Sequence, residues 1–141
     1  MSKQLCYKDV NAGDAVAPLV KEPSPKQLVV WAGAVGDYTP IHYDQEYARS
    51  RGLKGIIVHG QLVGAFLGQM LTEWVGEEGA LKKLSCSYKG MNYPGEAITC
   101  KGEVTKKYEK DGDYCLDCKV WAENPGGEKT ATGRATVTLP A

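Results

Sequence analysis

The sequence predicts an α+β fold in which an antiparallel sheet wraps around one long central helix. The first observation is an apolar run after Gly60 whose members recur at steps of three and four residues, as on one face of a buried helix. The second is a change, beyond Gly79, to apolar and polar residues in alternation, interrupted by turn sequences. Successive strands beside one buried helix are typical of an α+β domain rather than of alternating βα units.

The N-terminal part is predicted to contain one strand and one helix. Residues 5–14 are interpreted as the strand, because this segment closes with the turn sequence Asn-Ala-Gly-Asp. A proline-marked stretch from Pro18 to Pro25 follows. Ser24 is the predicted N-cap of the helix, with Gln27 as its capping-box partner and proline at the first helical position, and the helix is expected to end at Gly36.

Two more helices are predicted, a short one over Gln45–Arg51 and the long one from Gly60 to Gly76. Gly60, Gly64 and Gly68 fall on one stripe of the long helix. An interior glycine costs about 1 kcal/mol relative to alanine, so the two interior glycines need a reason. Close packing against this face is the favoured reason, and space for a ligand chain is compatible with it.

The C-terminal half is predicted to form an antiparallel meander of four strands. Two hairpin signals, Lys-Asp-Gly-Asp from Lys110 and Asn-Pro-Gly-Gly from Asn124, separate the last three of them. The predicted strands are Leu84–Tyr88, Ala97–Lys107, Asp113–Glu123 and Lys129–Leu139.

Composition excludes several classes of function. The 17 acidic and 17 basic residues balance to a net charge of zero, which argues against partners such as nucleic acid or a membrane surface. The N-terminus has no apolar core of signal-peptide length, so a cytoplasmic location is expected. Cys115 and Cys118 form a C-x-x-C inside a predicted strand, where residues three apart point to opposite faces, so ordinary thiols are favoured over a metal or redox site.

Residues 36–60 contain both histidines of the chain and carry the candidate chemistry. Pro40 forbids a continuous helix from Asp37 to His42, so the intervening residues must bend. Such a bend can bring a carboxylate and an imidazole to one point with a water molecule between them. The carboxylate can accept a proton of that water while the imidazole positions it or exchanges its second proton. This arrangement suits reversible addition of water to an activated double bond.

Each residue of this segment also has a purely structural interpretation. Asp37 alone is better explained as a turn residue, and His42 alone as a satisfied buried histidine, but together on a proline bend they favour catalysis. Asp44 is interpreted as the N-cap of the short helix, and His59 as a side chain that hydrogen-bonds the loop. Gly60 stands at a helix N-terminus, where unpaired N–H groups can polarise a ligand carbonyl, or it merely permits a tight entry into the helix.

Several motifs together resemble one family. They are Gly-Asp-x-x-Pro-Ile-His-x-Asp from Gly36, Ile-Val-His-Gly ending at Gly60, Tyr-Pro-Gly-Glu from Tyr93, and residues 131–137. Over nearly the whole chain the sequence closely resembles the (R)-specific enoyl-CoA hydratase and MaoC-like dehydratase family. The resemblance implies a single hot-dog domain over residues 1–141 and a hydro-lyase that interconverts a trans-2-enoyl thioester and an (R)-3-hydroxyacyl thioester.

The resemblance also implies roles for individual residues. Asp37 and His42 match the catalytic pair, the N–H of Gly60 matches the group that holds the thioester oxygen, and Gly68 and Leu71 match positions that line the acyl pocket. No metal or redox cofactor is expected, and coenzyme A or the phosphopantetheine of an acyl carrier protein arrives with the substrate. Hot-dog chains normally pair, so a homodimer or a hot-dog heterodimer is expected.

One position departs from the family pattern. Thr39 stands where many members have asparagine, in the substrate-binding part of the site, and one hydroxyl can replace only part of the hydrogen bonding of an amide. Two alternative functions stay open at this stage. A non-catalytic acyl-thioester-binding subunit of a mixed hot-dog assembly would bind without turnover, whereas a hot-dog thioesterase would release a free thiol from acyl-CoA.

Overall fold

The computed structural model describes residues 3–141 and contains one antiparallel sheet packed against a long helix. Met1 and Ser2, which fall within the predicted 1–141 domain and the N-terminus examined for a signal peptide, lie outside the described residues. The strands are β1 (Ala15–Lys21), β2 (Ala80–Tyr88), β3 (Ile98–Lys110), β4 (Asp113–Glu123) and β5 (Lys129–Leu139). The helices are α1 (Pro25–Val35), α2 (Gln45–Ser50) and α3 (Gly60–Val75), with 3-10 turns at Tyr7–Asp9 and Pro40–His42. The spatial order of the strands is β1-β3-β4-β5-β2.

The predicted strand over residues 5–14 is wrong, because the first strand begins only after the turn that was expected to follow it. The Asp14 carboxylate accepts a hydrogen bond from the Asn11 N–H at 2.8 Å, which closes that turn. β1 then includes Pro18, which lacks the N–H that a central strand needs. β1 tolerates it as an edge strand whose pairing with β3 is irregular between Val16 and Leu19.

The predicted helix ends agree closely with the structure. The Ser24 hydroxyl accepts a hydrogen bond from the Gln27 N–H at 3.2 Å, and α1 ends before Gly36, whose φ of 74° is left-handed. Asp44 caps α2 by accepting from the Tyr47 N–H at 3.0 Å, and α2 ends one residue before the predicted end. These ends are encoded locally, because the capping side chain and the capped N–H are three residues apart.

Helix α3 forms the centre of the core and contacts all five strands. Leu67 and Leu71 are fully buried, and burial of one such side chain stabilises the fold by about 1.5–3 kcal/mol. The α+β arrangement of a sheet around one helix is therefore confirmed. β4 and β5 have the predicted bounds, while β2 begins four residues before the predicted strand and β3 extends three residues beyond it.

The glycine stripe of α3 packs against β2. Four helical residues rise about 6 Å and two strand residues about 6.6 Å, so every fourth position of a helix can match every second position of a strand. The stripe follows this match in antiparallel order, with Gly60 against Tyr88, Gly64 against Tyr88 and Cys86, and Gly68 against Leu84. The close-packing interpretation is thus confirmed for the first two glycines.

The two sulfurs of the C-x-x-C diverge, as predicted. Cys118 belongs to the hydrophobic core and Cys115 lies outside it, and all five cysteines are free within residues 3–141. Burial raises the pKa of Cys118 to about 11 and that of Cys100 to about 12, so both remain protonated thiols at neutral pH. No helix in the described chain is long and apolar enough to span a membrane.

Candidate active site

The bend between α1 and α2 brings the predicted acid and imidazole together. Gly36 turns the chain out of α1 through a left-handed conformation, and Pro40 starts the short turn that ends at His42. The Asp37 Oδ2 lies 3.7 Å from the His42 Nε2. This separation is too long for a direct hydrogen bond, but one water molecule can contact both atoms at about 2.8 Å.

Thr39 holds the other oxygen of the Asp37 carboxylate. Its hydroxyl donates to Oδ1 at 2.7 Å and its N–H donates to the same atom at 3.2 Å. The hydroxyl bond is the largest cause of a lowered pKa of Asp37; the Thr39 N–H, His42 and His59 act in the same direction and desolvation opposes them. Asp37 is therefore ionised at neutral pH, and its Oδ2 remains on the side of His42.

The orientation of the His42 ring is set by a backbone carbonyl. The His42 Nδ1 lies 2.8 Å from the Ile57 O, so Nδ1 carries the proton of the neutral ring and donates it to that oxygen. The lone pair is then on Nε2, which is on the side of Asp37. In this tautomer the His42 Nε2 and the ionised carboxylate are both acceptors, and one water molecule has two protons to donate to them.

His59 contacts both members of this pair. It is the N-cap residue of α3 and only 1% exposed, and its ring stacks on that of His42 with centroids 3.7 Å apart. Its Nε2 lies 3.3 Å from the backbone oxygen of Asp37, so His59 hydrogen-bonds the loop as predicted. Desolvation, followed by the nearby His42, lowers the pKa of His59.

The N-terminus of α3 lies directly after this cluster. The carbonyl of His59 accepts hydrogen bonds from the N–H groups of Leu62 and Val63. Within residues 3–141, the N–H groups of Gly60 and Gln61 have no backbone acceptor and can interact with a ligand. The start of the helix at Gly60 is as predicted, and a role for its N–H in binding a thioester oxygen stays a prediction.

The two predicted acyl-pocket residues lie farther along α3. At 1.5 Å per residue, Gly68 is about 12 Å and Leu71 about 17 Å beyond Gly60 along the helix axis. A methyl group at Gly68 would meet only the Leu84 Cδ2, at 3.6 Å, so this position has room beside it. Leu71 is fully buried in the core. Their contact with an acyl chain stays a prediction.

Asp37, His42 and His59 each offer a ligand atom, and these atoms lie within 4.8 Å of one another. The geometry nevertheless suits water better than a metal ion. The lone pairs of an imidazole lie in the ring plane, and the two rings are stacked at an interplanar angle of only 17°, so their lone pairs do not converge. The absence of a metal cofactor stays a prediction.

A separate groove of about 770 Å³ lies on strands β2 to β5. Its lining includes Lys83, Lys119 and Arg134, and none of the predicted site residues. It is an open surface of paired strands rather than part of the site at the bend.

Sequence reasoning missed two contributors to the site. The Ile57 carbonyl sets the tautomer of His42. Every residue has a backbone carbonyl, so the identity of residue 57 does not indicate this role. Tyr88 packs on Gly60, with its Cγ 3.1 Å from where a β-carbon would stand. Tyr88 ends a predicted strand, and only the register between α3 and β2 reveals the contact.

Comparisons with known proteins bear on the fold and the family of this chain. An (R)-specific enoyl-CoA hydratase of Aeromonas caviae is 27% identical over 125 residues, covering 88% of this chain and 92% of the relative. The unliganded R-hydratase PhaJ1 of Pseudomonas aeruginosa superposes with a TM-score of 0.87 at 22% identity, covering 97% of this chain and 86% of that one. The ChsH1-ChsH2 complex of Mycobacterium tuberculosis superposes with a TM-score of 0.78 at 24% identity, covering 92% of this chain and 98% of that one.

The likeness to the two solved structures supports the predicted hot-dog fold. Residues 10–121 match the family described as MaoC like domain, and this range includes the bend, α3 and most of the sheet. The chain therefore belongs to the MaoC-like domain family.

Proposed function

We propose that the chain is a hydro-lyase that adds water to a trans-2-enoyl thioester, or removes it from the (R)-3-hydroxyacyl thioester. The observation that carries this proposal is the 3.7 Å gap between the Asp37 Oδ2 and the His42 Nε2, both of which can accept a hydrogen bond from one water molecule. The (R)-specific enoyl-CoA hydratase among its relatives supports the same reaction.

In the proposed reaction, the water oxygen bonds to C3 of the enoyl group as the Asp37 carboxylate takes one of its protons. Negative charge develops on the thioester oxygen, where the N–H of Gly60 donates a hydrogen bond and the positive end of the α3 dipole adds to it. The proton is then returned to C2 on the same face, so that one water molecule is added in total. His42 holds the second hydrogen of the attacking water throughout.

The proposed substrate is an acyl group carried on coenzyme A or on an acyl carrier protein, and no metal or redox group takes part. Thr39 contributes by fixing the carboxylate, and Gly68 and Leu71 are proposed to line the acyl pocket. A cytoplasmic location is proposed with it, since such acyl thioesters are metabolites of that compartment.

The test follows the loss of enoyl absorbance when enoyl-CoA substrates of increasing length are mixed with the protein, with chiral analysis of the product. Asp37→Ala and His42→Ala are each expected to lower kcat by about 10²- to 10⁴-fold, because each removes a group that handles the water. Asp44→Asn is a matched control, since it removes a carboxylate from the same segment but leaves an effective N-cap for α2.

Other outcomes would support the alternatives. Release of free thiol from acyl-CoA would indicate a thioesterase, and binding of enoyl-CoA without turnover would indicate a non-catalytic subunit. Wild-type rates in both alanine variants would contradict the proposed mechanism.

A further inference from the structure

His59 has a buried ring nitrogen that nothing in the described chain satisfies. The side chain is 1% exposed, and its Nδ1 has no hydrogen-bond partner within residues 3–141. The bond to the Asp37 carbonyl requires the proton on Nε2, so the unpartnered Nδ1 holds a lone pair. A buried acceptor without a partner destabilises a fold, and its retention calls for an explanation.

A purely structural role does not supply that explanation. A phenylalanine ring, although somewhat larger, would stack on an aromatic neighbour and leave no polar atom unsatisfied. Unlike phenylalanine, the imidazole offers an N–H donor: its Nε2 lies 3.3 Å from the backbone oxygen of Asp37. The imidazole that destabilises the fold through its unsatisfied Nδ1 is thus the same group that holds the loop of Asp37 through its Nε2–H.

The same ring also bears on the imidazole of the site. The rings of His59 and His42 are stacked with centroids 3.7 Å apart, while the His42 Nδ1 is held from the other direction by the Ile57 carbonyl. His42 therefore has its plane set by His59 and its rotation within that plane set by Ile57. One side chain, His59, therefore contacts both the backbone of Asp37 and the ring of His42.

We propose that His59 is a positioning residue of the reaction, which keeps the Asp37 carboxylate and the His42 imidazole at the separation that one water molecule bridges. This inference rests on the proposed function and adds to it a residue that does not touch the substrate.

The charged and titratable groups around His59 are compatible with a ring that stays neutral. Asp37 faces it from the loop and His42 from the following turn, and Tyr88 of β2 lies against the adjacent Gly60. Burial and His42 lower the pKa of His59, and the hydrogen bond to Asp37 opposes this only in part. A neutral His59 ring keeps Nε2–H as a donor and adds no positive charge beside His42.

The first experiment compares His59→Phe with His59→Gln. The phenylalanine variant keeps the stacked ring and loses the donor, and the glutamine variant keeps an N–H donor and loses the ring. For His59→Phe we expect a Tm equal to or above that of the wild type, kcat lower by about 10- to 100-fold, and KM nearly unchanged. His59→Gln is expected to recover part of that kcat despite a lower Tm.

A merely structural residue would give the opposite pattern, with Tm and kcat falling together in both variants, and that result would overturn the proposal. Wild-type kcat in His59→Phe would overturn it as well.

A second experiment does not depend on turnover. Nitrogen-15 NMR of the His42 side chain reports which ring nitrogen is protonated. We expect one tautomer, with the proton on Nδ1, in the wild type, and a mixture of tautomers in His59→Gln, which loses the stacked ring that sets the plane of His42. An unchanged His42 signal in both variants would overturn the inference, whereas a lack of hydratase activity in the wild type would overturn only the proposed function.

Discussion

Thr39 shows how one residue sets the state of the candidate acid. Both of its hydrogen bonds go to the Asp37 Oδ1, which leaves Oδ2 for water and His42. Many members of the family that the sequence resembles have asparagine at this position. Of the hydrogen bonds that an asparagine side chain can make, the Thr39 hydroxyl keeps one, to the Asp37 carboxylate. Threonine lacks the side-chain amide with which an asparagine could also hydrogen-bond a substrate.

Thr39→Val tests this at the residue scale. The hydroxyl bond that contributes most to the low pKa of Asp37 is lost, so the pKa should rise towards its ordinary value. The ionised carboxylate is the proposed base, and its activity is lost as pH falls through its pKa. The acid limb of kcat/KM should therefore move to higher pH, as measured with an enoyl-CoA over a range of buffers.

Thr105→Val is the matched control, because the Thr105 hydroxyl bonds only to the Asp117 carbonyl in the sheet. An acid limb at the same pH in Thr39→Val and Thr105→Val would contradict the assignment of Asp37 as the base.

At the scale of elements, the contact between α3 and β2 distinguishes the two interior glycines of the helix. At Gly64 a β-carbon would lie 2.5 Å from the Tyr88 hydroxyl oxygen but 3.6 Å from its Cζ. At Gly68 it would meet only the Leu84 Cδ2 in ordinary contact at 3.6 Å. A methyl group at Gly64 would thus displace the Tyr88 hydroxyl, whereas one at Gly68 would fit without any shift.

This difference predicts the stability of two matched variants. Gly68→Ala should raise the free energy of unfolding by about 0.5–1 kcal/mol through helix propensity alone. In Gly64→Ala the same gain from helix propensity should be cancelled, because the new methyl group displaces the Tyr88 hydroxyl. In a Tyr88→Phe background the obstructing oxygen is gone, so Gly64→Ala should then stabilise the protein, as urea denaturation of the four variants would show.

Equal effects of Gly64→Ala with and without the Tyr88 hydroxyl would contradict this account of the stripe. If Gly68 lines the acyl pocket, Gly68→Ala should also lower kcat/KM for long enoyl chains more than for short ones.

At the scale of the whole molecule, the sheet has two edges, β1 and β2. β1 contains a proline, which discourages addition of another strand, whereas the pairing of each edge strand has one irregularity. β2 has nine residues and no proline, so it is the edge more open to a second chain. The edges are thus consistent with the pairing that the family resemblance implies.

We therefore expect a dimer of about twice the 15.3 kDa chain mass in light scattering at micromolar concentration. A monomer at that concentration would contradict the expected homodimer and would leave a heterodimer to be tested with a second hot-dog chain.

Several features were predictable because each is encoded within a few residues. The serine and aspartate caps, the left-handed glycine after α1 and the hairpin turns of the meander are local, and their positions agree with the structure. The first strand was mispredicted because Pro18 argues against a strand, and only its place at the sheet edge makes that proline tolerable.

The sequence by itself determined where the chain bends and which carboxylate and imidazole flank that bend, because Pro40 fixes its own φ and Gly36 readily adopts the left-handed conformation that ends α1. Only the tertiary structure decided which further groups contact Asp37, His42 and Gly60. The Ile57 carbonyl that orients His42, the His59 ring that stacks on it and the Tyr88 ring on Gly60 all come from other segments. Such contacts depend on how α3 docks on the sheet, which no local pattern of residues specifies.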